Sequence, residues 1–124
     1  MAHGFHHVHI KSPNPRKTAQ WWADVFDAKL VPEHGAFCPV ELDGVLINIS
    51  GVSAEEAETM AQGTAEGNFG LEHVGLTTDD LDADLARLRE HGLEIFARRD
   101  TPTMRIAFVE TPDNVRVEIL QPLN

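Results

Sequence analysis

The sequence has one cysteine, no tyrosine and few basic residues. The single cysteine, Cys38, excludes an intramolecular disulfide framework and a cysteine-only zinc site. The absence of tyrosine removes one common catalytic acid. Ten basic residues stand against 20 acidic ones, which gives a net charge of -10 with histidine neutral. Because such a surface repels phosphate backbones and anionic lipids, we expect neither a nucleic-acid partner nor a membrane partner.

Long apolar stretches and targeting signals are also missing. No run approaches the roughly 20 apolar residues that span a bilayer. The stretch MAHGFHHVHI lacks the basic and then apolar pattern of a signal peptide. We therefore expect a cytoplasmic protein. Its 124 residues, 42 % of them hydrophobic, suit one ordinary domain, and its seven histidines are the first indication of a functional site.

The chain repeats itself at an offset of 66 residues. FHHVHIKSP at 5–13 resembles LEHVGLTTD at 71–79, so that His7 matches His73. Each copy is a short run of β-branched and apolar residues, which predicts a strand. A helix pattern follows each strand, and further strand-like runs follow each helix. The chain therefore contains two similar modules.

Local signals mark where these elements begin and end. Helix caps are predicted at Asn14, with Pro15 as the first helical residue, at Asp79 or Asp80, and at His91–Gly92. The apolar helix faces are predicted to contain Ala19, Trp22, Ala23, Phe26, Leu81, Leu85 and Leu88. Hairpins are predicted at 40–50, turning at Asp43–Gly44, and at 105–121, turning at Pro112–Asp113–Asn114.

These elements predict an α+β fold of two tandem βαβββ modules. We expect a curved, mostly antiparallel sheet around a cleft, with the helices on the outer face. Module one is predicted at 5–52, a connector at 53–70 and module two at 71–122, all within a single domain of residues 1–124. The alternative is one α+β sheet without duplication. An open sheet has exposed edges, so we expect a homodimer.

Polar residues interrupt the strands at equivalent places. On each of four strands, one face is apolar and the opposite face has a polar residue at its middle. These residues are His7, Asn48, His73 and Glu118. Two imidazoles and one carboxylate are a common ligand set for a divalent metal, and three protein ligands leave positions open for a substrate.

This pattern resembles the vicinal oxygen chelate superfamily, which includes glyoxalase I, methylmalonyl-CoA epimerase, fosfomycin-resistance and bleomycin-resistance proteins and extradiol dioxygenases. HHVHI and EHVGL resemble the opening strands of its two modules, and TPDNVRVEIL resembles its closing hairpin. The resemblance implies that His7, His73 and Glu118 bind one divalent ion, either Zn, Ni, Mn, Fe or Co. It also implies a small-molecule substrate.

Other residues are candidates for contact with the substrate. Asn48 stands where glyoxalase I has a carboxylate and methylmalonyl-CoA epimerase a glutamine; its amide can bind substrate or coordinate weakly, but it cannot act as a base. His9 shares the face of His7, and Arg105 shares the parity of Ala107 and Val109, which we take as the cleft face. The alternatives are a spectator role for His9 and a surface ion pair for Arg105.

Two carboxylates are candidates for proton transfer. Glu33 lies roughly where the epimerases have a general base, although a solvated turn is the alternative interpretation. Glu118 is the other candidate.

The leading functional hypothesis is a metal-dependent isomerase, epimerase or lyase. It would chelate a small oxygenated metabolite and stabilise an enolate or enediolate. A first alternative is an Fe(II) dioxygenase, or a thiol transferase that opens an epoxide, using the same three ligands. A second alternative is a protein that binds an antibiotic without catalysis.

Overall fold

A computed structural model describes residues 5–61 and 69–123. The chain divides into two compact units, residues 1–61 and 62–124. The first unit contains β1 (His7–Lys11), α1 (Pro15–Phe26), β2 (Lys29–Leu30), β3 (Val40–Leu42), β4 (Val45–Ser50) and the short helix α2 (Ala54–Ala57). The second contains β5 (Val74–Thr77), α3 (Leu81–Glu90), β6 (Ile95–Asp100), β7 (Met104–Glu110) and β8 (Arg116–Pro122).

Each unit is built around its own four-stranded mixed sheet. The strand order is β1-β4-β3-β2 in the first unit and β5-β8-β7-β6 in the second. In both, the opening strand runs parallel to the closing strand, and the remaining pairs are antiparallel. The βαβββ order thus occurs twice, which confirms the prediction of two α+β modules.

The two longer helices begin at the predicted caps. The side chain of Asn14 accepts a hydrogen bond from the Lys17 backbone N–H, and Pro15 is the first residue of α1. Of the two predicted aspartates, Asp80 is the cap of α3, because its carboxylate accepts from the Ala83 N–H at 3.1 Å. Each cap satisfies a backbone donor that the helix itself leaves unpaired.

The core of each unit lies between one helix and one face of its sheet. In the first unit, α1 contributes Ala19, Trp22 and Val25, and the strands contribute Ile10, Val40, Ile47 and Ile49. In the second unit, α3 contributes Leu81, Leu85 and Leu88, and the strands contribute Ala107, Val109, Val117 and Ile119. These buried sets confirm the strand parity and the predicted face of α3. The predicted face of α1 is confirmed at Ala19 and Trp22, whereas Ala23 and Phe26 are only half-buried and the unpredicted Val25 is buried instead.

The hairpin turns also match the sequence. Asp43 and Gly44 both have positive φ, 51° and 76°, which fits the tight turn between β3 and β4. Between β7 and β8, Asn114 has φ 57° and its N–H donates to the Thr111 carbonyl oxygen. Asparagine tolerates this left-handed conformation better than most side chains.

The connector begins with a short helix. Ser53 caps α2, and the side chain of Glu56 accepts a hydrogen bond from the Ser53 backbone N–H in return. Residues 62–68 of the connector lie outside the described residues. Within the parts of the chain that the structure describes, no helix is long and apolar enough to cross a membrane.

Candidate metal centre

Two predicted metal ligands meet in the second unit. The Nε2 atom of His73 lies 2.7 Å from the Oε2 atom of Glu118. His73 directly precedes β5, and Glu118 lies in β8, which pairs with β5. Both side chains stand on the sheet face away from α3, because the neighbouring strand residues Val117 and Ile119 point into the core. The Glu118 side chain is 15 % exposed, so this carboxylate is largely shielded from water.

The chemistry of this pair fits a divalent transition metal. An imidazole nitrogen and a carboxylate oxygen are ligands that Zn, Ni, Mn, Fe and Co accept. At 2.7 Å, the two atoms converge on one point at the surface of the sheet. Within residues 5–61 and 69–123, no group of three or more His, Cys, Asp or Glu side chains is arranged to hold a metal ion. The structure thus brings together two of the three predicted ligands, here called the ligand pair, and their role as metal ligands stays a prediction.

The third predicted ligand, His7, begins β1 in the first unit. It is paired in register with Leu46 and lies on the face away from α1. Its Nδ1 atom is 2.9 Å from the Nδ1 atom of His6, and the two rings meet edge to face. Its position as a metal ligand stays a prediction.

Asn48 occupies the place in the first unit that Glu118 occupies in the second. Asn48 pairs with His9 on β1, and Glu118 pairs with Gly75 on β5, so both polar residues stand at the repeat-equivalent register. The Oδ1 atom of Asn48 is buried and has no hydrogen-bond partner among the described residues. A buried acceptor without a partner costs about 1–3 kcal/mol. A substrate N–H or O–H is one group that would satisfy it.

His9 lies beside Asn48 on the same face. Its Nε2 atom is 2.6 Å from the Ser50 hydroxyl, and its ring centroid is 5.4 Å from that of Phe37. These contacts hold the imidazole in place over β4. A substrate contact by His9 stays a prediction.

Arg105 lies on a different face from the one expected. Its strand neighbours Ala107 and Val109 are fully buried beneath α3, so the face taken as the cleft is the helix-covered face. The Arg105 guanidinium donates two hydrogen bonds to the Asp82 carboxylate in the first turn of α3, at 3.0 and 3.3 Å. This contact is the surface ion pair that the sequence left open as the alternative role of Arg105. The proposed function therefore includes no substrate contact by Arg105.

The ion pair of Glu33 with Arg16 does not favour the expected role of Glu33 as a general base. Its carboxylate accepts hydrogen bonds from the Arg16 guanidinium at 2.8 and 3.2 Å, and the Cys38 thiol lies 3.6 Å from Oε1. The hydrogen bond from Arg16 holds the pKa of Glu33 below its usual value. A general base works best with a pKa close to the working pH, so this contact makes Glu33 a weaker base. We therefore do not assign proton transfer to Glu33.

Changing Glu33 to Gln is expected to make Cys38 react faster with iodoacetamide. Burial is the main reason that the pKa of the Cys38 thiol is raised, and the hydrogen bond and negative charge of Glu33 raise it further. Glutamine removes that charge, so the pKa falls and the alkylation rate near pH 8 rises about two- to tenfold. Mass spectrometry measures the rate, with Glu41→Gln as the control. An unchanged rate in E33Q would show that Glu33 does not act on this thiol.

Two side chains near the ligand pair were missed by the sequence interpretation. The Glu72 carboxylate lies 3.1 Å from the other ring nitrogen of His73, Nδ1, and Arg116 lies 3.7 Å from the same Glu72 oxygen. Glu72 directly precedes His73 in the EHVGL motif, and Arg116 shares the strand face of Glu118. The sequence signal for Glu72 was its position next to His73 in the motif. The signal for Arg116 was the strand parity that it shares with Glu118.

Comparison with protein families identifies the class. The model of the Glyoxalase/Bleomycin resistance protein/Dioxygenase superfamily matches residues 4–119, and the chain belongs to this superfamily. The match covers both repeats, including the ligand pair. A search of curated proteins finds no significant match.

Solved structures share the same fold. The fosfomycin resistance protein FosX from Listeria monocytogenes superposes with a TM-score of 0.78 at 16 % identity, covering 99 % of this chain and 96 % of that one. Oxidase ChaP-H2 gives 0.73 at 22 % identity, with 99 % and 96 % covered. TnmS3, an antibiotic-binding protein from Streptomyces sp. CB03234, gives 0.74 at 22 % identity, with 99 % and 98 % covered. FosX has also been crystallised with Mn(II) and sulfate.

Proposed function

We propose that this protein is a metal-dependent isomerase, epimerase or lyase acting on a small oxygenated metabolite. The observation that carries the proposal is the 2.7 Å approach of His73 Nε2 and Glu118 Oε2. These two atoms would hold one divalent ion, either Zn, Ni, Mn, Fe or Co, with His7 as the third ligand. Three protein ligands leave coordination positions for two adjacent oxygens of a substrate.

The bound ion supplies Lewis-acid polarisation of substrate oxygens. The protein's own residues supply proton transfer and orientation. Glu118 is the carboxylate that we assign to moving a proton at the carbon next to the substrate carbonyl, because Glu33 is hydrogen-bonded to Arg16. Asn48 contributes the buried Oδ1 acceptor, which would bind a substrate hydroxyl or amide. Shielding of Glu118 from water strengthens its electrostatic interactions.

The shared fold supports several chemistries. An oxidase, a fosfomycin-resistance protein and an antibiotic-binding protein all have it, and function depends on the site that a fold contains. The ligand pair favours a metal-dependent enzyme over a metal-free binding protein. Dioxygenase and epoxide-opening reactions on the same ligands remain the competing enzyme classes, and the test below separates them.

The first test is metal analysis of protein purified without an affinity tag or chelator. Plasma mass spectrometry is expected to find about one divalent ion per chain. Failure to hold or take up Zn, Ni, Mn, Fe or Co would overturn the proposal and favour the antibiotic-binding alternative.

The second test follows proton exchange. Loaded protein is incubated in D₂O with a panel of small 2-hydroxycarbonyl compounds, and NMR follows exchange next to the carbonyl. Exchange that disappears in E118Q supports the proposal. Oxygen consumption by the Fe(II) form, or opening of an epoxide by a thiol, without any exchange would favour the competing classes.

Mixing two variants tests whether the three ligands of one site come from one chain or from two. If a homodimer builds each site from two chains, mixed dimers of His7→Ala and His73→Ala protein contain one intact ligand set, and metal binding returns on mixing. If every site lies within one chain, mixing restores nothing.

A further inference from the structure

Both ring nitrogens of His73 are occupied by carboxylates. Nε2 faces Glu118 at 2.7 Å, and Nδ1 faces Oε1 of Glu72 at 3.1 Å. An ionised carboxylate only accepts hydrogen bonds, so the Nδ1 atom that bonds to Glu72 has to carry a proton. The same rule applies to Nε2, which would donate to Glu118 as long as no metal is bound. A metal held by Nε2 and Glu118 would take the place of the Nε2 proton, and the proton on Nδ1 would stay with Glu72.

The Glu72 carboxylate contacts the guanidinium of Arg116, which is largely shielded from water. The Arg116 guanidinium reaches Oε1 of Glu72 at 3.7 Å and Oε1 of Glu110 at 3.5 Å, and it lies 4.7 Å from the centroid of the Phe96 ring. The Arg116 side chain is 12 % exposed, whereas that of Glu72 is 58 % exposed. A planar cation fixed by a carboxylate and an aromatic face limits the movement of the more exposed Glu72.

The imidazole ring is also restrained from the side. The Phe108 ring meets the His73 ring edge to face, with 5.6 Å between centroids. Phe108 pairs directly with Glu118 in the sheet, so it packs on the same face as the ligand pair. Rotation of the His73 ring would therefore break contacts with both Glu72 and Phe108.

The first unit has the same arrangement with a different side chain. His6 is the repeat equivalent of Glu72, and its Nδ1 atom lies 2.9 Å from Nδ1 of His7. In each unit, the residue before the predicted ligand histidine therefore contacts the Nδ1 atom of that histidine. Because this contact to Nδ1 occurs in both units, chance does not readily explain the contact between Glu72 and His73.

We propose that Glu72 is a positioning residue that fixes His73 in the tautomer with the proton on Nδ1 and directs Nε2 toward the metal, with Arg116 holding Glu72 in place. This inference rests on the metal-dependent function proposed above. Partners of this kind fix the orientation of metal-binding histidines and raise their basicity. Glu72 itself does not touch the metal or the substrate in this scheme.

Two measurements test this role, with three variants. Glu72→Ala removes the acceptor, Glu72→Gln keeps an acceptor oxygen without the charge, and Glu94→Ala changes an exposed carboxylate before β6 as the control. Long-range ¹⁵N–¹H NMR reports which His73 nitrogen carries the proton. It is applied to metal-free protein at a pH where the imidazole is neutral, with Glu118→Gln added to every sample so that no carboxylate faces Nε2. Titration with Zn²⁺ of the same variants with Glu118 intact reports the affinity.

In the E118Q background, we expect protein with Glu72 intact, including E94A, to show a single His73 tautomer with Nδ1 protonated. Adding E72A makes both tautomers appear, and E72A with Glu118 intact loses Zn²⁺ affinity about 10- to 100-fold. Glu72→Gln restores most of the tautomer preference, because its amide oxygen can accept from Nδ1. A purely structural role for Glu72 would not produce this pattern of rescue.

The failure of this inference is distinct from failure of the proposed function. Wild-type protein that binds no metal overturns the metal-dependent function, while the NMR measurement still decides whether Glu72 sets the tautomer. If E72A leaves the tautomer unchanged in the E118Q background, and leaves the Zn²⁺ affinity within twofold of wild type when Glu118 is intact, the role of Glu72 alone is overturned.

Discussion

Glu118→Gln protein is expected to lose its divalent metal while keeping its fold. Glutamine has nearly the shape of glutamate, so β8 and its pairing with β5 and β7 are preserved. The neutral amide no longer balances the charge of a dication and is a weaker ligand. We expect metal affinity to fall at least about 100-fold, because each ligand of a three-residue site contributes a large share of the binding energy.

The same loss is expected for His73→Ala, because Nε2 of His73 is the other half of the pair. Isothermal titration with Zn²⁺ or Mn²⁺ measures the affinity, and circular dichroism checks the fold. Glu90→Gln is the matched control. It makes the same chemical change at the exposed end of α3, on the other side of the sheet from Glu118. Equal affinity in E118Q, E90Q and wild-type protein would remove the basis for the proposed metal site.

Trp22→Ala is expected to destabilise the protein by about 3–5 kcal/mol. Trp22 is 1 % exposed and is the largest fully buried side chain, packed on the sheet side of α1. Alanine leaves a cavity that a densely packed core closes only in part. Since domains of this size are stable by about 5–15 kcal/mol, the loss is a large fraction of the total. Urea unfolding followed by circular dichroism measures the change.

Two further tryptophan variants separate volume from polarity. Trp22→Phe keeps an aromatic ring and removes the buried indole N–H, for which the described residues offer no hydrogen-bond partner. We expect Trp22→Phe to cost much less than Trp22→Ala, because the lost donor was unsatisfied. Trp21→Ala removes the same side chain at the neighbouring, half-buried position. If Trp22→Ala costs no more than Trp21→Ala, Trp22 is not the centre of this core.

Most of the fold could be predicted from local sequence. Asn14–Pro15, Asp80 and Asp43–Gly44 act within a few residues of themselves, so their roles as caps and turns depend little on the rest of the chain. The period of two along each strand separated the apolar core face from the face of Asn48 and Glu118. The repeat then predicted that both modules have the same order of elements.

The sequence was least informative about which side chains contact each other. Parity placed Arg105 correctly with Ala107 and Val109, but it could not say which face α3 covers. Because α3 covers the face of Arg105, Asp82 in the first turn of α3 lies within hydrogen-bond distance of the Arg105 guanidinium. Likewise, Glu33 lies 17 residues from Arg16, and nothing local indicated that their side chains would form two hydrogen bonds.

The sequence by itself determined the repeat, the limits of the main elements and the candidate ligands His7, His73 and Glu118, because these depend on spacing and residue type. Only the tertiary structure decided that His73 and Glu118 meet at 2.7 Å, since they are 45 residues apart and strand pairing sets their distance. It also decided that Glu72 contacts His73 and that Arg116 contacts Glu72. Such contacts depend on register and side-chain direction, which take their final form only when the sheet is assembled.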